Sequence, residues 1–164
     1  MPIVDGKSFI YTVKPGDTLF NIASNIGGTV PLLVEANAVY PPIMDLYQIF
    51  PGQVLVVTTP GKKQVNHIVD IGEALYQIAE RYSTTVEKIL ELNPQIENPN
   101  VIFYNQVLQI PAQIYSVEPG DAFFQIAERF GVSTSTLLMA NQNRPGLSPD
   151  VVYPGYQIII PNTK

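Results

Sequence analysis

The chain has 164 residues, a formal net charge of −5 and 46% hydrophobic side chains. Only 14% of its residues are charged, against roughly 25% in an average domain. That acidic, weakly charged balance makes nucleic acid a poor partner and disfavours an anionic membrane surface; no apolar run is long enough for membrane insertion. Cysteine is absent, which excludes disulfide and thiolate chemistry.

The opening MPIVDGKSFIYTV has neither a charged segment ahead of a long apolar stretch nor a small-residue cleavage site. Two readings stand: the chain is made and used without the general secretory route, or a leader has been removed. A β-rich run over 9–13 comes first and is stopped by Pro15-Gly16-Asp17, a turn whose aspartate is suited to cap the next helix. That helix places Leu19, Ile22, Ala23 and Ile26 on one face, which reads as core. A second helix starts at Thr29, a good N-cap, with Pro31 in its first turn, where a missing N–H costs little. Leu33 should point inward, and Asn37 is expected to end the helix by taking a left-handed conformation. The loop ANAVYPPIMDLYQIFPG leads to a closing strand at 51–57.

The same order then recurs twice. A β-rich run at 65–69 precedes the Gly72 turn, with Ile71 where the other copies have proline. The following helices carry Leu75, Ile78, Ala79 and Tyr82, then Thr85, Ile89 and Asn93, before the shorter loop LNPQIENPNVIFYN and a strand at 104–111. The third copy has a run at 114–117, the turn Pro119-Gly120-Asp121, a stripe of Phe123, Ile126, Ala127 and Phe130, then Ser133, Leu137 and Asn141. Its loop ANQNRPGLSPDVVYPG ends in a strand at 154–161.

In-register recurrence at a period of about 50 residues signals a repeat architecture. Strand, helix, helix, strand lets two strands pair antiparallel while both helices cover one face of the small sheet. The expected fold is α+β: three tandem βααβ modules over 8–58, 64–111 and 112–162, set as beads in series. A core of about 50 residues is marginal alone, so neighbours are expected to support one another. The segment 58–63 is the longer connector and Pro111-Ala112-Gln113 the shorter, which predicts a fixed pair of repeats two and three with the first more mobile.

The run YTVKPGDTLFNIA, the helix ending in asparagine and the closing PGQVLVV resemble the LysM domain, in three copies that cover nearly the whole chain. The resemblance implies a module that binds N-acetylglucosamine-containing glycans, peptidoglycan and chitin oligomers among them, in a shallow groove between two loops. Carried over, the first loop is Gly16, Asp17, Thr18 and Leu19 in repeat one, and Gly72, Glu73, Ala74 and Leu75 in repeat two. In repeat three it is Gly120, Asp121, Ala122 and Phe123. The second loop begins at Asn37, Asn93 and Asn141 and offers Ile43, Ile96 and Leu147 as apolar contacts, with Tyr40 and Tyr47 able to stack on a sugar face.

An N-acetyl group has an amide donor, a carbonyl acceptor and a methyl, which exposed backbone groups over a small apolar floor can read. Leu19, Leu75 and Phe123 serve equally well as lids on the core. Repeat one, with the full Gly-Asp-Thr-Leu, is expected to be the best sugar site and repeat two the weakest. Arg144 is the basic group of a candidate groove, placed to meet a peptide-stem carboxylate or simply solvated.

No enzyme is expected. Asp17, Glu73 and Asp121 have capping roles available, Glu80–Arg81 and Glu128–Arg129 read as solvated helix face, and the sole histidine, His67, stands where Tyr11 and Tyr115 stand in the other strands. With one histidine and no cysteine the usual zinc sites are unavailable, and no cofactor is implied. The expected place is the cell wall or spore surface. The competing reading is a structural or docking scaffold whose partners are envelope or spore-coat proteins.

Overall fold

The computed structural model describes residues 3–37 and 49–163, so Tyr40, Ile43 and Tyr47 lie outside the described residues. Module one consists of β1 (Lys7–Thr12), α1 (Leu19–Ile26), α2 (Val30–Ala36) and β2 (Val54–Thr59). Module two is β3 (Gln64–Ile68), α3 (Leu75–Arg81), α4 (Val86–Leu92) and β4 (Val107–Ile110). Module three is β5 (Ala112–Ser116), α5 (Phe123–Arg129), α6 (Thr134–Ala140) and β6 (Gln157–Pro161). This is the α+β, βααβ order expected from the sequence.

Local chemistry accounts for the helix starts. Thr29, Thr85 and Ser133 each accept, through the side-chain oxygen, the backbone N–H three residues on, the usual device for satisfying free amides at a helix start. Thr18 does the same for α1, accepting from Asn21 at 3.1 Å. Ala74 and Ala122 stand at the equivalent positions of α3 and α5 with no side-chain cap.

Two expectations of capping change. The acidic residues Asp17, Glu73 and Asp121 do not cap the helices; they close the preceding turns. Asp17 Oδ2 accepts from Lys14 N–H at 2.8 Å and Asp121 Oδ2 from Glu118 N–H at 2.9 Å, while Glu73 Oε1 accepts from Asp70 N–H at 2.6 Å. The turn glycines between them, Gly16, Gly72 and Gly120, have φ of 88°, 78° and 88°, a region L side chains disfavour.

The shared asparagines also depart from expectation, with φ of −116°, −131° and −110° rather than left-handed values. Their side chains explain their recurrence. Asn37 Nδ2 donates to Leu33 O and Val56 O, and its Oδ1 accepts from Val56 N–H. Asn93 makes the same three bonds with Ile89 and Gln109, and Asn141 with Leu137 and Ile159. Each asparagine thus satisfies the outward-facing N–H and C=O of a sheet-edge strand, groups costly to bury unpaired.

The assembly is not a string of beads. β1 pairs in parallel with β3, from Lys7↔Gln64 to Ile10↔His67, so modules one and two share a four-stranded sheet in the order β2-β1-β3-β4. The longer 58–63 connector therefore gives module one no independence. Paired residues share a sheet face. Tyr11 and Val13 pack with α1 and α2, while Ile10, Val54 and Val56 join a cluster with Val65, Ile78 and Tyr82. The two helix pairs consequently cover opposite faces of the common sheet.

Module three has its own β5-β6 sheet, whose outer residues Ile114 and Ile159 enter that same cluster. Thr58 Oγ1 meets Gln157 Oε1 at 3.3 Å, and Val54 N–H donates to Asn143 O at 2.9 Å. Val4 N–H donates to Ile114 O, laying the N-terminal segment beside β5. At the turn end of the shared sheet, Lys14 Nζ lies 3.8 Å from Asp70 and over the rings of Tyr11 and Tyr104.

Candidate glycan-binding grooves

The groove is clearest in module two. Glu73, Ala74, Leu75 and Tyr76, at the start of α3, line a cavity of about 330 Å3 together with Pro99, Asn100 and Ile102 of the second loop and Val86 of α4. These are the two loops that the sequence pairs. Ile96 does not line the cavity; it packs against the core, as Leu147 does in module three.

The apolar first-loop residues turn inward. Leu19, Leu75 and Phe123 are buried among their modules' helices and strands, so they act as lids on the core. The next residue in each module is the exposed one: Phe20 at 71%, Tyr76 at 63% and Phe124 at 59%. All three are aromatic at a helix position that faces solvent, a signal visible in the sequence as a repeated aromatic outside the 3.6-residue core stripe. Gly16, Thr18, Gly72 and Gly120 stand exposed around them, with Ala74 and Ala122 half-buried. Asn37, Asn93 and Asn141 are buried and use both ends of their amides on backbone.

The turn carboxylates differ between modules in their second partner. Tyr11 OH donates to Asp17 Oδ2 and Tyr115 OH to Asp121 Oδ2, both at 2.5 Å. Arg129 reaches the module-three pair, with Nη1 on Tyr115 OH and Nη2 3.3 Å from Asp121 Oδ1. Arg129 is therefore part of the turn rather than solvated face. Burial alone raises the Asp121 carboxyl, but Tyr115 OH, Glu118 N–H and Arg129 outweigh it and hold the group below its ordinary value. In module two, His67 replaces tyrosine and glutamate replaces aspartate. His67 Nε2 lies 2.8 Å from Glu73 Oε1 and Nδ1 2.7 Å from Tyr82 OH.

Burial pushes the Tyr82 phenol up to about 12, and the Tyr82 hydroxyl and the Glu73 carboxylate together hold the His67 ring from its two nitrogens. Burial also raises Glu73, but the bond and charge of His67 and the Asp70 N–H prevail, and the carboxyl lies below its usual range. His67 is thus a buried packing and hydrogen-bonding residue with both nitrogens engaged.

Arg144 occupies neither of its expected settings. It is buried between modules, donating to Asn37 Oδ1 of module one at 3.0 Å and Asn141 Oδ1 of module three at 3.3 Å, over the Tyr156 ring. Loss of hydration lowers its pKa. Arg81, expected on a solvated face, is also buried, with Nη2 3.5 Å from Gln142 O. No group of three or more metal-ligating side chains occurs among the described residues, and no helix there is long and apolar enough to cross a membrane.

The LysM domain family profile matches residues 11–58, 67–111 and 115–161. The chain belongs to the LysM family. Among curated proteins, the endolysin of Bacillus phage PZA is 40% identical over 100 residues, covering 61% of this chain and 37% of the endolysin. The N-acetylmuramoyl-L-alanine amidase sle1 of Staphylococcus epidermidis is 33% identical over 96 residues, covering 51% of this chain and 28% of the amidase. This LysM chain therefore spans well under half the length of these relatives. Among solved structures, the spore cortex-lytic enzyme SleL of Bacillus cereus is 28% identical with a TM-score of 0.45, covering 63% of this chain and 22% of that one.

Proposed function

We propose that this LysM array is a non-catalytic, multivalent binder of N-acetylglucosamine-containing glycan at the cell wall or spore surface, with peptidoglycan as its principal ligand and chitin oligomers as soluble mimics. The observation that carries the reading is the module-two cavity between the two loops, edged by Tyr76 and matched in the other modules by Phe20 and Phe124. An exposed ring beside backbone amides suits a pyranose face and an N-acetyl group together. The phage endolysin and staphylococcal amidase that share these modules are, by their names, wall-lytic enzymes, which supports peptidoglycan as the target. LysM modules fill nearly all of the chain, and its groove carboxylates are engaged in turn closure, so it supplies binding rather than bond cleavage.

Each shallow groove binds weakly, and a repeating polymer multiplies the effect by holding the next groove at high effective concentration. The test is calorimetric titration of the full chain with N-acetylglucosamine oligomers of increasing length, beside pull-down on purified peptidoglycan and insoluble chitin. Affinity that rises with oligomer length, and capture by peptidoglycan, are expected; absence of binding to all three ligands overturns the proposal.

A further inference from the structure

The parallel pairing of β1 with β3 makes modules one and two near-equivalent about an axis running along the strands between them. Two matching clefts result, each between one module's first helix and the outer face of the other module's hairpin. One is filled. Module three seats the turn after α6 there, with Asn143 O accepting from Val54 N–H at 2.9 Å and Gln142 O facing Arg81. Ala140 and Ile159 complete the packing against Ile78, Tyr82 and Val54.

The counterpart cleft is open. It measures about 290 Å3, between α1 and the outer face of β3-β4, and is lined chiefly by Phe9, Tyr11, Ile22, Ile26, Ile68 and Val107. Val107 is 42% exposed where its equivalent Val54 is 1%. The hairpin ends also match: Val69 N–H to Gln106 O and Asn105 N–H to Val69 O repeat Val13 N–H to Gln53 O and Gly52 N–H to Val13 O. In that register Ile68↔Val107 is a pair that exchanges no backbone bonds. The Val107 N–H therefore points off the β4 edge, as the Val54 N–H does toward Asn143.

We propose that this open cleft is a homodimer interface, occupied by module two of a second copy of the chain. The filled cleft shows what shape fits: the outer face of a hairpin with the turn after a second helix. Within one chain, modules one and three bury those hairpin faces against each other, through Ile10, Val54 and Val56 on one side and Ile114 and Ile159 on the other. Module two keeps its outer face uncovered at Val107, and its turn after α4 exposes Pro94 and Gln95. Gln95 follows Asn93 at the same spacing as Asn143 follows Asn141. One patch then supplies both sides of a two-fold, isologous contact. The cleft lining, which also includes Asn25 and Asn105, holds no charged side chain, so two acidic chains meet there without local repulsion.

Sedimentation velocity of the full chain over a concentration series tests the proposal, with Val107→Arg and Asn25→Arg as variants at exposed positions. A concentration-dependent dimer is expected for the wild type. Either variant should weaken self-association by about ten-fold or more, since each places a charge in a closed contact, while far-UV circular dichroism stays unchanged. A wild-type chain that is monomeric throughout overturns the proposal, as does a dimer whose strength both variants leave unaltered. In the cysteine-free background a spin label at Asn105→Cys should show dipolar coupling between copies; a dimer without that coupling places the interface elsewhere. A monomer whose label responds instead to chitin oligomer would make the cleft a sugar site and refute the dimer.

Discussion

Replacing Asn93 tests the asparagine clamp at its simplest. Asn93→Ala removes donation to Ile89 O and Gln109 O and acceptance from Gln109 N–H, at 2.7, 2.8 and 2.9 Å. At about 1 kcal/mol net for each bond, the loss is about 3 kcal/mol, rising where the abandoned backbone groups stay shielded from water. That is a large share of a typical stability of about 5–15 kcal/mol, and corresponds to a fall in melting temperature of about 6–12 °C for a chain of this size. Asn93→Asp should be worse at neutral pH, because a carboxylate keeps the Gln109 N–H bond but sets its charge against two carbonyl oxygens. Its folded pKa is then raised above the unfolded value, so the penalty is full at neutral pH and shrinks as the pH falls through the folded pKa and the group becomes a donor. Urea denaturation of the full chain measures both. A cost under about 1 kcal/mol for Asn93→Ala, or an aspartate variant as stable as wild type at pH 7, refutes the clamp.

Other outcomes follow from the same contacts. Unfolding of the full chain should be a single cooperative transition, because all three modules contribute to one core cluster; separate transitions by calorimetry would show independent modules. Glu73 and Asp121 have depressed folded pKa values, so they contribute stability that is present above about pH 4 and lost as the pH falls through those folded values. Glu73→Gln should therefore lower stability at pH 7 and converge with wild type in acid, as urea midpoints across pH would record. Tyr76→Ala in the full chain should weaken binding of a long chitin oligomer by about ten-fold, the scale of one lost ring–sugar stack, with an unchanged melting temperature; parallel loss at Phe20→Ala and Phe124→Ala would rank the grooves in place.

The sequence carried the modules but not their assembly. Periodic positions such as Ile22, Ile78 and Ile126 announce helices whose buried faces depend only on local spacing, and Thr29, Thr85 and Ser133 cap as their chemistry requires. The β1–β3 pairing depends on which edge strands meet across 50 or so intervening residues, and no local pattern encodes that choice. Asn37, Asn93 and Asn141 were legible as important positions, yet their partners Val56, Gln109 and Ile159 belong to another element. In the grooves, Leu19, Leu75 and Phe123 are the conspicuous apolar residues of the first loop, yet the helix phase that turns Phe20, Tyr76 and Phe124 to solvent is equally readable from the spacing. Arg144 looked like a free loop cation because its contact with Asn37 spans modules one and three.

The parallel course of β1 and β3 brings the Gly16 and Gly72 turns out at one end of the shared sheet, while the helix pairs lie on its two sides. Loosely tethered modules would conform to any polymer long enough to reach both. Here the separation and angle between the candidate grooves of modules one and two are set by strand register. On the proposed function the array would then act as a gauge, rewarding glycan strands whose spacing agrees with its own and reading the packing of the polymer as well as the identity of the sugar.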